Sequence, residues 1–262
     1  MSMPTQPIRP AASVILTRDT GASARSTGAG FETLMLRRTS NAAFAGGMYV
    51  FPGGRVDADD HLHAYDDIRR GPDPTQVAQQ HALGMEWRGF WIAGIRESFE
   101  EAGVLLAYDA AGALLDLHEP AIRARFDAHR RALNAGATSL EDIVRREGLQ
   151  LAVDRMHFYN RWITPEGRPR RFDTRFFVAE APPKQHGRHD EAETVDSLWI
   201  TPAEALERNA AGTFGLMTVT ERQLAILAEY PTAGALHAAM TAERPFPVYR
   251  PVLSAAALAR EG

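Results

Sequence analysis

Glu97, Glu100 and Glu101 stand at positions i, i+3 and i+4 of the stretch IRESFEEAG. In a helix, at about 100° per residue, they share one side, while Trp87, Trp91, Ile95, Phe99 and Ala102 share the other. The apolar stripe can then face a core as the carboxylates point outward together. Glutamates at these spacings repel one another by about 0.2–0.5 kcal/mol per pair, and a cation between them reverses that sign. Carboxylate oxygens are hard ligands suited to Mg²⁺ or Mn²⁺, which keep waters and engage substrate phosphates at the same time. Such ions polarise a phosphoryl oxygen and lower the pKa of an attacking water, so the pattern points to phosphoryl chemistry. Arg96, four residues before Glu100, can pair with it and fix its rotamer. A lone ExxEE is more often a solvated helix face, so the reading depends on its surroundings.

The elements around the glutamates are legible in outline. A helix is predicted from about Glu86 to Ala102, stopped by Gly103, the expected left-handed cap. Residues 11–17 and 31–37 read as neighbouring strands, followed by the glycine-dense loop NAAFAGGMYVFPGGRVD. From Asp57 to about Met85 the chain is acidic and proline-punctuated, and reads as an insertion, expected to form a rim at the mouth of the site and to help select what binds there. VLLAYDAAGALL follows the helix as a short strand and turn, and residues 119–134 and 138–147 read as surface helices, the second capped by Thr138 with Glu141. MHFYNRWIT, RFDTRFFVAEA and VDSLWIT should be strands, and TPAEALERNAAG a helix with Thr201 before Pro202. A further helix is expected at 218–230.

Composition narrows the function. With 45% hydrophobic and 24% charged residues in 262, the chain can bury one substantial core. A formal charge of −4 argues against a surface built to neutralise many nucleic-acid phosphates. The absence of cysteine excludes thiolate catalysis and cysteine-ligated metal, so a metal must use oxygen or imidazole. No segment reads as membrane-spanning and the opening residues do not read as a leader, so the expectation is a soluble, cytoplasmic protein. Arg37, Arg38, Arg171 and Arg175 could clamp a diphosphate through the guanidinium fork, although as single residues they are more often partners of acids such as Asp173 or Glu180. The His61/His63 and His186/His189 pairs have no flanking pattern and receive no role.

The string R96-E97-S98-F99-E100-E101-A102-G103-V104, preceded by FPGG at 51–54, resembles the Nudix box, a Gly-rich opening followed by REUxEExGU with U aliphatic. Ser98 stands where that box has an aliphatic residue. Forty-two positions separate Gly54 from Arg96, about 28 more than in the standard box. Counting from Gly54 puts the box's first acid at Asp60, and counting back from Arg96 puts it at Arg88, near Glu86. The expanded box, with L34-M35-L36-R37-R38 before it, resembles the coenzyme A diphosphatase branch, particularly its peroxisomal mammalian members. Ala43 stands about where that branch has a further arginine, which leaves the substrate open.

The resemblance implies an α/β fold: one Nudix domain over 1–262, an α/β/α sandwich around a mixed sheet. The interruption at 57–85, a helical insertion at 112–150 and a C-terminal helical extension at 202–262 would decorate it. It implies that Glu97, Glu100 and Glu101, with the carbonyl of Gly54, bind Mg²⁺ or Mn²⁺. The general base would be a box glutamate or an acid on a later loop, where Glu191 and Glu193 are candidates. The expected activity is hydrolysis of the diphosphate bond of a small-molecule nucleoside diphosphate derivative. Coenzyme A or acyl-coenzyme A is favoured, giving adenosine 3′,5′-bisphosphate and (acyl)phosphopantetheine. ADP-ribose or another dinucleotide or sugar diphosphate is the alternative substrate, and a non-catalytic nucleotide-sensing module the alternative class. No nucleic-acid or membrane partner is expected, and a homodimer is left open.

Overall fold

The computed structural model describes residues 7–20, 30–40, 45–61, 63–79, 87–168, 170–190, 193–242 and 244–252. Strand β1 (Ile8–Asp19) is the spine of its main sheet. It runs parallel to β9 (Arg171–Glu180) in unbroken register from Ile8↔Arg171 to Thr17↔Glu180. On its other edge it is shared by two partners: β2 (Phe31–Arg38) pairs with its last residues and β4 (Gly53–Arg55) with Ala11, Ala12 and Ser13. The strand order is β10-β2-β1-β9-β8-β11, with β10 being Thr194–Ile200, β8 Met156–Ile163 and β11 Val248–Tyr249; β3 (Tyr49–Val50) joins β2. Parallel pairs (β1 with β9, β8 with β11) stand among antiparallel ones, so the sheet is mixed.

Both faces of this sheet are covered, and strand alternation decides which residue goes where. Ala12, Val14 and Leu16 face one apolar layer with Leu34, Leu36 and Phe177, whereas Ile15 faces another with Phe31, Met35 and Val178. The first layer is closed by helix α2 (Trp87–Ala102) and backed by α3 (Pro120–Asn134) and α4 (Leu140–Arg146). The second lies under α5 (Pro202–Ala210), α6 (Thr218–Leu227) and α7 (Ala233–Thr241). This is the α/β/α arrangement expected from sequence. The last of these helices, α7, lies beyond the helix expected at 218–230 and within the expected C-terminal helical extension, and its apolar residues Leu236 and Met240 are buried.

The interrupting segment departs from expectation. Tyr65 and Ile68 join the core beneath α2, and β5 (Arg69–Arg70) pairs with β7 (Gln150–Ala152), which also holds β6 (Ala107–Tyr108), in a second small sheet. A short helix, α1 (Pro74–Ala78), carries the fully buried Gln76, whose amide donates to the carbonyls of Val153 and Met156 at 2.6 and 2.8 Å. Tyr65, Ile68 and Gln76 thus anchor the segment in the fold, and of its described residues Asp57 alone lines the cleft, so beyond Asp57 they do not form the expected rim; residues 80–86 lie outside the described set. The capping box of α4 is also shifted by one from the expected pair: Ser139 accepts from the Asp142 amide, and the Asp142 carboxylate accepts from the Ser139 amide.

Candidate metal and phosphate site

Helix α2 forms as its pattern dictates. Trp91, Ile95, Phe99 and Ala102 are each at most 1% exposed and face the sheet, and the Trp91 indole donates to the Met156 carbonyl at 2.8 Å. The side chain of Trp87 lies outside the described set. At the other end Gly103, with φ 65°, takes the left-handed conformation that stops a helix. Arg130 of α3 donates to the Glu100 carbonyl at 2.8 Å, so this helix braces the last turn from behind.

Gly53 and Gly54 bring the backbone of β4 against the acids. The Gly53 amide donates to Glu101 Oε2 at 2.9 Å. A Cβ on Gly54 would lie 2.4 Å from Glu97 Oε1, so only glycine lets the strand and carboxylate approach this closely. Arg38, at the end of β2, stands 3.8 Å from Glu101 and 3.6 Å from Glu193, linking the helix to the loop before β10.

Arg96 organises the remaining acids. Its Nη1 donates to Glu97 Oε1 at 2.9 Å and to Glu100 Oε2 at 2.8 Å. Its Nε and Nη2 reach the two oxygens of Asp60 at 3.0 Å each, and Nη2 also donates to the Arg55 carbonyl at 2.8 Å. Asp60 is 1% exposed and also accepts from the Asp57 amide. Of the two ways to count the box, the one from Gly54 therefore identifies the acid that meets Arg96; Glu86 and the side chain of Arg88 lie outside the described residues.

Burial dominates the protonation of this cluster. It raises the carboxyls of Glu97, Glu100 and Asp60 despite the opposing charge of Arg96. It also raises Glu101, helped by the charge of Glu97 and opposed by the Gly53 amide and Arg38. At Arg96 burial acts against the charge, and the hydrogen bonds and charges of Asp60, Glu97 and Glu100 override it, so the guanidinium is held charged. The two ends of the Asp60–Arg96 pair thus respond differently. The arginine decides the state of the pair, because it meets several acids in good geometry and does not deprotonate near neutrality.

A cleft of about 650 Å³ opens over these groups. Its lining includes Gly53, Gly54, Arg96 and the three helix glutamates. Arg38 and Glu193 also line it. Glu191 lies outside the described residues. The other predicted arginines do not line the cleft. Arg37 donates to the Gly47 carbonyl at the surface. Arg171 is buried against the Thr164 carbonyl, and Arg175 pairs with Asp173 at 2.8 Å and lies over the Phe90 ring. The cations that line the cleft besides Arg38 and Arg96 are Arg9, Arg55 and Arg170, which no sequence motif marks. Among the described residues no three acidic or histidine side chains form a ready metal cage, and Arg96 occupies one oxygen each of Glu97 and Glu100. Glu97 Oε2 and Glu100 Oε1 accept no hydrogen bond among the described residues.

Comparison with known proteins gives a consistent picture. A family model described as the NUDT19 Nudix domain matches residues 76–216. The acyl-coenzyme A diphosphatase NUDT19 of Gallus gallus is 28% identical over 79% of this chain and 64% of its own length. The protein of the same name from Homo sapiens is 31% identical over 68% of this chain and 55% of its own. The chain thus spans less than two thirds of the length of these relatives. A crystal structure of a NUDIX hydrolase from Alicyclobacillus acidocaldarius, 24% identical, superposes with a TM-score of 0.71 over 92% of this chain and 99% of that one, which supports the fold.

Proposed function

The chain belongs to the NUDT19 Nudix domain family, and on that premise we propose that it hydrolyses the diphosphate bond of coenzyme A or an acyl-coenzyme A, releasing adenosine 3′,5′-bisphosphate and (acyl)phosphopantetheine. The names of its relatives suggest the substrate. The observation that carries the reaction class is the convergence of Glu97, Glu100, Glu101, Gly54 and Arg38 on one cleft.

The residues fit a hard divalent cation. The donors are all oxygens, and burial leaves Glu97 and Glu101 reluctant to ionise beside each other, which a cation would reverse. Glu97, Glu100, Glu101 and the Gly54 carbonyl would hold it, as Mg²⁺ or Mn²⁺. When bound, such an ion supplies positive charge to the diphosphate oxygens and lowers the pKa of water. Arg96 keeps Glu97 and Glu100 aimed, and Asp60 keeps Arg96 in place. Arg38 offers a guanidinium to a phosphate oxygen while tying Glu193 to the cleft. To Glu193, exposed on its loop and lining the cleft, we assign acceptance of a proton from water.

Purified protein incubated with coenzyme A, acetyl-coenzyme A, ADP-ribose and a dinucleoside polyphosphate, with Mg²⁺ or Mn²⁺ and with EDTA, tests this through chromatography of the products. Adenosine 3′,5′-bisphosphate forming with metal and not with EDTA is the expected result. Preferred cleavage of ADP-ribose moves the substrate assignment, and cleavage of nothing, with nucleotide binding retained, favours a sensing module.

A further inference from the structure

The floor of the cleft is a strip of paired rungs of β1 and β9. Arg9↔Phe172, Ala11↔Thr174 and Ser13↔Phe176 are register partners, and all six residues line the cleft. At one end Ser13 pairs with Gly53, whose amide holds Glu101. At the other stand Arg9 and, just before β9, Arg170. Ser13 lies four steps along the strand from Arg9, about 13 Å. That span exceeds a diphosphate and leaves room for the sugar attached to it.

The cations at the two ends differ. At the acidic end Arg96 and Arg38 are engaged by carboxylates, and Arg55 stands 3.9 Å from Asp57. Arg9 and Arg170 have no carboxylate within ion-pair distance among the described residues. Two guanidinium groups without acids, at the end of a cleft whose opposite end is acidic, are a receptor for an anion carried by the same ligand.

We infer that Arg9 and Arg170 form a second anion subsite that takes a phosphate monoester on the sugar of the substrate, so that the cleft selects nucleotides bearing a phosphate besides the one that is cleaved. This rests on the proposed diphosphatase reading and adds to it the residues that set specificity. Phe172 and Thr174, between the two ends, supply the apolar and hydroxyl lining that a nucleoside would meet.

The test compares kcat/KM for coenzyme A and for 3′-dephospho-coenzyme A in the wild type, Arg9→Gln, Arg170→Gln and the double variant. Each guanidinium–phosphate interaction is expected to carry about tenfold in preference, so the double variant should lower the ratio of the two kcat/KM values by about 10- to 100-fold. An unchanged ratio, or equal losses on both substrates, overturns the subsite. Calorimetric binding of adenosine 3′,5′-bisphosphate against 5′-AMP separates this from failure of the diphosphatase reading. If the wild type cleaves neither substrate yet prefers the bisphosphate through these arginines, the subsite stands and the reaction falls. If the preference is absent or survives the double substitution, the subsite falls.

Discussion

Two adjacent glycines should give opposite phenotypes when each is changed to alanine. A methyl on Gly54 would meet Glu97 at 2.4 Å from Oε1, 2.6 Å from Cδ and 2.7 Å from Oε2. Ordinary contact is about 3.5 Å, so the carboxylate must retreat by about 1 Å. It is the far end of a flexible side chain, and the backbone at Gly54 is not left-handed, so the strand can keep its pairing with Ala12. The retreat weakens the 2.9 Å bond from Arg96, but Arg96 retains Asp60 and Glu100. The stability loss should therefore sit at or below about 1.5 kcal/mol, the lower end for a charged hydrogen bond. A misplacement of about 1 Å at a reacting centre can cost about a hundredfold in rate. On Gly53 the same methyl would meet the Ala12 carbonyl oxygen at 2.5 Å and Ser13 Cα at 2.6 Å, backbone atoms that cannot yield without separating β4 from β1. Gly53→Ala should cost about 3 kcal/mol or more. Thermal melts of both variants, with steady-state hydrolysis of acetyl-coenzyme A, make the comparison. Near-wild-type kcat/KM in Gly54→Ala, or a Tm as low as that of Gly53→Ala, would refute the assignment of Gly54 as the residue that makes room for Glu97.

Two further outcomes follow from buried polar groups. Burial, with the charge of Glu97, holds Glu101 up to about 8, and burial holds Glu97 up to about 7. In EDTA these raised groups favour the fold below the ordinary carboxylate range and lose that contribution progressively as pH rises from there to their raised values, so the wild-type Tm should fall between about pH 5 and 8 and level off above. Glu101→Gln should flatten that fall while lowering turnover with Mg²⁺ by about a hundredfold or more; a parallel Tm profile or full activity contradicts it. Ser98 Oγ is buried with no hydrogen-bond partner among the described residues, so Ser98→Ala should raise Tm by a few degrees, at about 2–4 °C per kcal/mol recovered, and a lower Tm would count against the unpaired hydroxyl.

Helix α2 was legible because both of its codes lie within one stretch of chain: an apolar stripe with a helical period and a glycine at its end. The strands β8, β9 and β10 were legible for the same local reason. Strand β4 was hidden, because Gly-Gly-Arg has no strand propensity of its own and exists as a strand only through its pairing with Ala11, Ala12 and Ser13. The cleft's cations show the same divide. Arg38 belongs to a recognisable string, whereas Arg9 and Arg170 reach the cleft through the parallel register of two strands more than 150 residues apart in sequence. Arg171 and Arg175 look equally suitable in sequence, and burial beside the Thr164 carbonyl and Asp173 removes them from it.

The interruption of the box is tolerated because of where it falls. Gly54 to Asp60 keep their continuity, so the residues that approach Glu97 and anchor Arg96 stay on one short segment. The extra chain enters only after Asp60 and returns as α2. Closing a longer loop adds only about 0.6 kcal/mol per doubling of length, and the described part of this one offsets that by burying Tyr65, Ile68 and Gln76. Asp60 carries the weight of this arrangement. It joins the segment before the interruption to the helix after it through two 3.0 Å bonds to Arg96, and Arg96 passes that constraint to Glu97 and Glu100. The geometry of Glu97 and Glu100 is therefore set by a buried ion pair spanning 36 residues, and the length of what lies between is free to vary.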